Sequence, residues 1–271
     1  AKAAKKADRA AAEGLVAELL GRRTGVVGGI GGTQHLHTRN LYTNGIQGGI
    51  VPNAVGAALA EKLDGSGAIV TVFLGDGTMG EGVVYESMNL AALWSLPVLF
   101  CCINNQYGMG TRVDRATANL AFDERARAFG LAGEIVDGTD IEAVHETAER
   151  MLANAREGKP GLLVLTCYRF YGHARMDKSP YRDSAEEEQG RQRDPLKFAR
   201  ERLIARKGAT EENLDALDAE IATEMDNALE QAIKEHLPDV STMFEDVYAP
   251  DQPKPTPLRD RLSAILSETS R

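Results

Sequence analysis

The sequence predicts an α/β fold, a parallel sheet flanked by helices, and three observations carry that expectation. Residues 68–74 (AIVTVFL), 97–103 (PVLFCCI) and 161–167 (GLLVLTC) are short, almost unbroken apolar runs. Such runs suit strands buried on both faces of a parallel sheet. Stretches of helical periodicity, some 14 residues long, lie between them. Strand and helix therefore alternate as in βαβ units, whose right-handed crossovers bring all strand carboxyl ends to one edge.

The elements follow in order. Residues 3–20 form an Ala-rich amphipathic helix with Ala11, Leu15, Leu19 and Leu20 on one face. Residues 25–49 hold eight glycines without a period, which fits a long surface loop or a backbone that closely approaches something. Pro52 suits the first turn of a helix over 54–62. Further helices are expected at 80–93, 116–129 and 140–155, with a short strand at 134–136. Trp94 reads as core. Residues 168–188 are polar and irregular, and Arg169, Arg175, Asp177 and Arg182 are expected to order them by ion pairs. Asp194-Pro195 is a cap and first-turn pair for a helix to 206. A longer helix over 210–236 carries Leu214, Leu217, Ile221, Met225, Leu229 and Ile233 on one stripe, read as packing. His145 and His236 fall on helix faces and read as structural. Four prolines lie between 249 and 258, as in a linker, and a short helix closes the chain. The division expected is an α/β domain over 1–190, a helical C-terminal extension over 191–248 and a Pro-rich tail or linker over 249–271.

Composition narrows the function classes. The 271 residues carry 31 Lys and Arg against 40 Asp and Glu, a net charge of −9. This acidic balance argues against non-specific nucleic-acid binding. No apolar run reaches the ~18 residues of a membrane span, and no secretory signal opens the sequence. Three cysteines are too few for a disulfide framework. Cys101, Cys102 and Cys167 read as reduced core thiols in a cytoplasmic compartment, or the mitochondrial matrix of a eukaryote.

Open parallel sheets bind ligands at their carboxyl edge, and two loops there stand out. The first strand runs into Gly75-Asp76-Gly77-Thr78-Met79-Gly80, the second into Asn104-Asn105-Gln106-Tyr107-Gly108. Glycines allow backbone to approach a phosphate, and following N–H groups favour anions. A carboxylate, Asp76, and an amide, Asn105, at neighbouring strand ends are oxygen ligands that suit Mg²⁺ shared with phosphate. Clustered Cys and His of the kind zinc takes do not occur. Each motif alone is common at ordinary turns. The phosphate-loop pattern of nucleotide triphosphatases is absent. Gly75-x-Gly77-x-x-Gly80 fits a dinucleotide fingerprint, but Asn104 and Asn105 stand where its acidic residue belongs. A nicotinamide-dependent oxidoreductase therefore stays open as a rival, as does a non-catalytic scaffold.

Gly75-Asp76-Gly77, then 26 residues, then Asn104-Asn105, resembles the thiamine diphosphate signature. The segment LGDGTMGEGVVYESMNLAALWSLPVLFCCINNQYGMGT is similar to the alpha subunit of the first component of 2-oxoacid dehydrogenase complexes. GGTQHLHTRNLYTNGIQGGIVPNAVGAALA, VDGTD and YRFYGHARMDKSPYR agree with that family in order and spacing, and the resemblance covers residues 15–250.

The resemblance implies a thiamine diphosphate-binding fold and a metal held by Asp76 and Asn105 side-chain oxygens and the Tyr107 carbonyl. Gly75, Gly77 and Thr78 would meet the diphosphate, with Gly45 and Gln47 close to the cofactor, although the family has a small apolar residue where Gln47 stands. His173 matches the histidine that meets the diphosphate and reacting centre, and His35, two residues from His37, the one lining the substrate pocket. The family often has a phosphorylatable Ser after the first of these; here it is Ala174. The implied cofactors are thiamine diphosphate and Mg²⁺. The implied partners are a beta subunit, separate or fused downstream, which supplies the glutamate that protonates the pyrimidine in an α2β2 assembly, and a lipoyl-bearing acyltransferase component. The reaction implied is oxidative decarboxylation of a 2-oxoacid, with YRFYGH nearer the pyruvate and acetoin members than the branched-chain ones. The family also carries a further N-terminal segment with a Tyr-Arg pair at the cofactor, so a fragment or short form is expected.

Overall fold

A parallel sheet forms the centre of the larger part of the molecule. The computed structural model describes residues 2–245, 247, 256–257 and 259–260, with the side chains of 2–9 and 244 outside the description. The strands are β1 (Val70–Gly75), β2 (Val98–Asn104), β3 (Tyr107–Gly108), β4 (Thr111–Arg112), β5 (Ala132–Asp137) and β6 (Gly161–Thr166). Four of them pair in parallel in the order β1-β2-β6-β5, while β3 and β4 form a small antiparallel hairpin. The helices are α1 (Lys2–Leu19), α2 (Ile50–Asp64), α3 (Gly82–Leu93), α4 (Val113–Ala116), α5 (Phe122–Ala128), α6 (Ile141–Arg156), α7 (Ser184–Gln192), α8 (Pro195–Ala205) and α9 (Glu211–Lys234).

Side-chain alternation assigns the two sheet faces. Val72, Phe100 and Leu162 point to one face, where they pack with Val51 and Ala58 of α2, Met88 of α3 and Phe122 of α5. Leu99, Cys101 and Leu163 point to the other, against Met151 and Leu152 of α6. β2 and β6, in the centre, are buried almost throughout, which explains their unbroken apolar sequences. Each fully buried large side chain contributes roughly 1.5–3 kcal/mol. The start of α6 is fixed by Asp140, whose Oδ1 accepts from the N–H groups of Glu142 and Ala143. Register places Gly75 opposite Ile103 and Asn104 opposite Thr166, so β1, β2 and β6 end level with one another.

Two compact units make up the chain, Gln34–Asp226 and Ala1–Thr33 with Asn227–Arg271. The sheet lies in the first. In the second, Val16 and Ala17 of α1 bury against Ala228 and Ala232 of α9. Glu18 is 0% exposed and takes the N–H groups of Val27, Gly29 and Gly31 on its carboxylate. A side chain at Gly25 would collide with that carboxylate. Part of the glycine-rich stretch therefore wraps the Glu18 carboxyl group.

Several expectations need correction. The helix expected over 116–129 starts only at Phe122, as α5, after a separate short α4 that ends at Ala116; between them Asn119 accepts the N–H of Ala121 on its side chain and turns the chain. The helix expected from 80 starts at Gly82, after a 3₁₀ turn over Gly77–Gly80. The acidic end of the irregular 168–188 segment is the first half of α7, started by Asp183 accepting from Glu186 N at 2.7 Å. Trp94 is 41% exposed rather than core, since α3 ends at Leu93 and the indole lies past the packed face. Apart from the half-buried Leu214, the α9 stripe is exposed as well, from 42% at Leu229 to 56% at Ile233, and the small Ala228 and Ala232 take the buried side instead. His236 lies beyond the end of α9. Cys101 and Cys102 are buried as expected, whereas Cys167 is half-buried. Most of the proline-rich tail and the closing helix fall outside the described residues.

Candidate active site

Every residue singled out for chemistry lies in the Gln34–Asp226 unit. Asp76 follows the last residue of β1 and is 2% exposed. Its Oδ2 is buried and has no hydrogen-bond partner among the described residues. Burial pushes the Asp76 carboxyl above the usual range, opposed by the N–H groups of Asp76 itself and Asn105 and by the charge of Arg169. A carboxylate taken out of water with an unshared oxygen is costly unless a cation meets it.

The loop after β2 is shaped by its two asparagines. Asn104 turns inward, accepting from Gln106 N and Nε2 at 3.2 and 2.9 Å. Asn105 Oδ1 accepts from Tyr107 N at 3.1 Å, which leaves that oxygen a second lone pair. Gln106 and Met109 take positive φ of 72° and 55°, bending the backbone into the β3–β4 hairpin. This hairpin touches the β1 loop backbone to backbone. A Cβ on Gly77 would lie 3.2 Å from Gly108 Cα, and one on Gly108 would lie 3.3 Å from Gly77 Cα. Above Gly75 the space is open, where a Cβ would meet only Thr78 Oγ1 at 4.0 Å, and at Gly80 it would meet nothing within 4 Å.

These features fit Mg²⁺ and a diphosphate. One buried carboxylate with an orphaned oxygen, an amide oxygen and the nearby Tyr107 form a hard-oxygen set with a single negative charge. That leaves room for phosphate oxygens in an octahedron. Gly77 and Thr78 open the 3₁₀ turn, so their N–H groups have no partner within it. Thr78 itself is buried and donates its hydroxyl to Gln47 Oε1 at 2.7 Å, which brings the segment before α2 into the same group.

The loop after β6 supplies the third wall. Cys167 N donates to Asn104 O at 3.0 Å, continuing the β2–β6 pairing past the strand ends. The loop is ordered mainly by carbonyls, hydroxyls and aromatic faces rather than by the ion pairs expected. Arg169 donates to the carbonyls of Tyr171 and Met109 and to Tyr181 Oη. Tyr181 donates to Asp177 Oδ2 at 2.6 Å, and the same oxygen takes the N–H of His173 at 2.8 Å. Tyr181's hydroxyl and the His173 and Ser179 N–H groups hold the Asp177 carboxyl down at about 2. Arg182 is buried, lies 4.6 Å over the Tyr107 ring and donates to the Arg169 and Tyr171 carbonyls. Only its Nη1 finds acceptors; Nε and Nη2 are buried without a hydrogen-bond partner among the described residues, and the guanidinium plane lies against aromatic faces instead.

Asp76, Gly77, Thr78, Gln47, Asn105 and Tyr107 are thus joined by direct contact or short hydrogen-bonded links. His173 connects to them through Asp177, Tyr181 and Arg169, its imidazole exposed. His35 is exposed and has no side-chain partner among the described residues, whereas its neighbour His37 stacks on Tyr42 at 4.5 Å. Gly45 packs against Gln34, next to His35. Sequence reasoning missed Glu186, which accepts the Tyr107 hydroxyl at 2.9 Å from 79 residues away. Its only signal was membership of an acidic run.

Comparison with known proteins bears on the same span. A family model described as dehydrogenase E1 component matches residues 5–241. The pyruvate dehydrogenase E1 component subunit alpha of Rhizobium meliloti is 37% identical over 241 residues, covering 87% of this chain and 69% of that protein. The subunit of the same name from Rickettsia felis is 37% identical over 238 residues, 86% of this chain and 73% of that one. The mitochondrial subunit alpha of Dictyostelium discoideum is 39% identical over 245 residues, 89% of this chain and 64% of its own. The matched span takes in the sheet, both glycine-bearing loops and the segment around His173, and the chain belongs to the dehydrogenase E1 component family.

Proposed function

We propose that the chain is the alpha subunit of a thiamine diphosphate- and Mg²⁺-dependent 2-oxoacid dehydrogenase acting on pyruvate, with the acyl group passed to a lipoyl carrier. The observation that carries this is the orphaned, buried Asp76 oxygen beside Asn105, at the ends of adjacent strands, in a chain that matches relatives named for pyruvate. When bound, thiamine diphosphate supplies the carbon nucleophile and the electron sink for decarboxylation.

The chain's own residues bind and orient. Asp76 and Asn105 would hold Mg²⁺ by side-chain oxygens and Tyr107 by its carbonyl. Gly75, Gly77 and Thr78 would face the diphosphate, with Gly45 and Gln47 beside the cofactor. His173, its backbone tethered to Asp177, would hold or move a proton at its imidazole near the reacting centre. His35 would line the substrate pocket. A beta subunit would supply the second wall of the site, in an α2β2 assembly that serves a lipoyl-bearing acyltransferase, as the relatives' subunit-alpha names support. Among the described residues no helix is long and apolar enough to cross a membrane; the bacterial and mitochondrial relatives support a bacterial cytoplasm or mitochondrial matrix.

The test is turnover by the chain purified with a family beta subunit, thiamine diphosphate and Mg²⁺. Pyruvate, a branched-chain 2-oxoacid and acetoin are compared with a dye as electron acceptor. The expected result is Mg²⁺-dependent activity greatest with pyruvate and lost in His173→Ala. Preference for acetoin or a branched-chain acid would reassign the substrate. NADH binding without a Mg²⁺ requirement would return the nicotinamide reading, which otherwise lacks an acid at the end of β2.

A further inference from the structure

We propose that Gln47 is a positioning residue that latches the segment before α2 onto the diphosphate loop through the hydroxyl of Thr78, an inference that rests on the thiamine diphosphate reading above. The bond from Thr78 Oγ1 to Gln47 Oε1 measures 2.7 Å and joins positions 31 residues apart. Thr78 is 4% exposed while Gln47 is exposed, so the bond ties a surface turn to a buried anchor. A small apolar residue at 47 has no acceptor and could not make it.

The chemistry of the hydroxyl assigns roles. Threonine has one hydroxyl proton. Given to Gln47, it cannot also be given to a phosphate oxygen, which only accepts. Thr78 therefore meets a diphosphate by its backbone N–H alone, and the two N–H donors of Gln47 Nε2 remain for an anionic oxygen. The latch replaces one hydroxyl donor by two amide donors carried on a different segment.

A second contact links the same two segments. Gly48 has φ +77°, and a Cβ there would lie 3.1 Å from Val83 Cγ1 and 3.3 Å from Glu81 Cβ. The turn at 47–48 thus sits directly on the start of α3, just past the diphosphate loop. With the turn already fixed, its ordering is not charged against cofactor binding, and affinity rises accordingly.

Calorimetric titration with thiamine diphosphate at saturating Mg²⁺ tests this on the chain with its beta subunit. Wild type is compared with Gln47→Met, Thr78→Val and the double variant. Each single change is expected to raise Kd about three- to tenfold, the range of one net hydrogen bond. The double variant should be no weaker than the weaker single one. Thr78→Ser, which keeps the hydroxyl, should stay within about twofold of wild type. Additive losses, or a Thr78→Ser as weak as Thr78→Val, overturn the latch. Should Thr78→Val fail to fold, the surface change Gln47→Met decides by itself, and an unchanged Kd overturns the proposal. Absence of Mg²⁺-dependent binding in wild type is a different result, which overturns the cofactor reading itself.

Discussion

Replacing Asp76 by asparagine is expected to raise the melting temperature of the metal-free protein while removing its response to Mg²⁺ and thiamine diphosphate. Asp76 is 2% exposed, its Oδ2 has no partner among the described residues, and burial raises its carboxyl pKa. An acid raised in this way binds its proton more tightly in the folded state than in the unfolded one. Stability therefore falls as pH climbs from the ordinary carboxyl range through the folded value, and above that value the penalty is complete. A neutral amide removes the charge but keeps a polar group at the orphaned position. Of the roughly 1–3 kcal/mol that an unsatisfied buried group costs, about 1 kcal/mol should be recovered. For a chain of this size that is a rise of about 2–4 °C. Ligand acts the other way, because at a hundredfold excess over Kd it stabilises wild type by about 2.7 kcal/mol, and the variant has lost the anionic metal ligand. Thermal melts at neutral pH, with and without cofactor and Mg²⁺, measure both effects. A metal-free variant that melts below wild type, or one that gains as much from the ligands, refutes the reasoning.

Further expectations concern the neighbouring loops. Gly108→Ala puts a methyl 3.3 Å from Gly77 Cα and should force the two loops apart at a cost of about 1–3 kcal/mol, read as weaker cofactor binding by calorimetry; unchanged affinity would contradict the close approach. Asp177→Ala removes the acceptor for the Tyr181 hydroxyl and the His173 and Ser179 N–H groups, so limited proteolysis should cut the 168–183 segment faster. Because the Asp177 carboxyl is held down at about 2, its support is complete above the ordinary carboxyl range and lost only as pH falls toward 2; proteolysis rates of wild type that change steeply between pH 5 and 8 would count against it. His35→Ala should lower turnover with little change in melting, whereas His37→Ala loses the Tyr42 stack and should loosen the exposed turn it closes, seen as faster amide exchange over 34–43. The reverse pattern would exchange the roles of the two histidines.

β2 and β6 were legible because burial on both faces leaves near-continuous apolar runs, PVLFCCI and GLLVLTC, but AIVTVFL reads the same way although β1 ends the sheet order and leaves Phe73 exposed. That Asp76 and Asn105 stand at one edge of the sheet was legible for a related reason, since a carboxylate and an amide directly after adjacent parallel strands must sit there. What the sequence hid depends on pairings across long separations. Glu186 meets Tyr107 from 79 residues away, and no periodicity carries that information. Arg182 looked like half of an ion pair, yet its guanidinium spreads over the Tyr107, Tyr168 and Tyr181 rings. The α9 stripe had the spacing of a buried face, but spacing fixes only which residues share a face and not whether anything covers it. The glycine-rich stretch 25–49 read as a long surface loop or a backbone in close approach to something, and over 27–31 that something is the Glu18 carboxyl group.

The most direct measurement is a calorimetric titration of the purified chain, alone and with a family beta subunit, with thiamine diphosphate in the presence and absence of Mg²⁺. Asp76→Ala serves as the control. Metal-dependent binding that the variant loses is the expected result. No binding even with the partner present, or binding that Asp76→Ala leaves intact, would contradict the placement of the cofactor at the ends of β1 and β2.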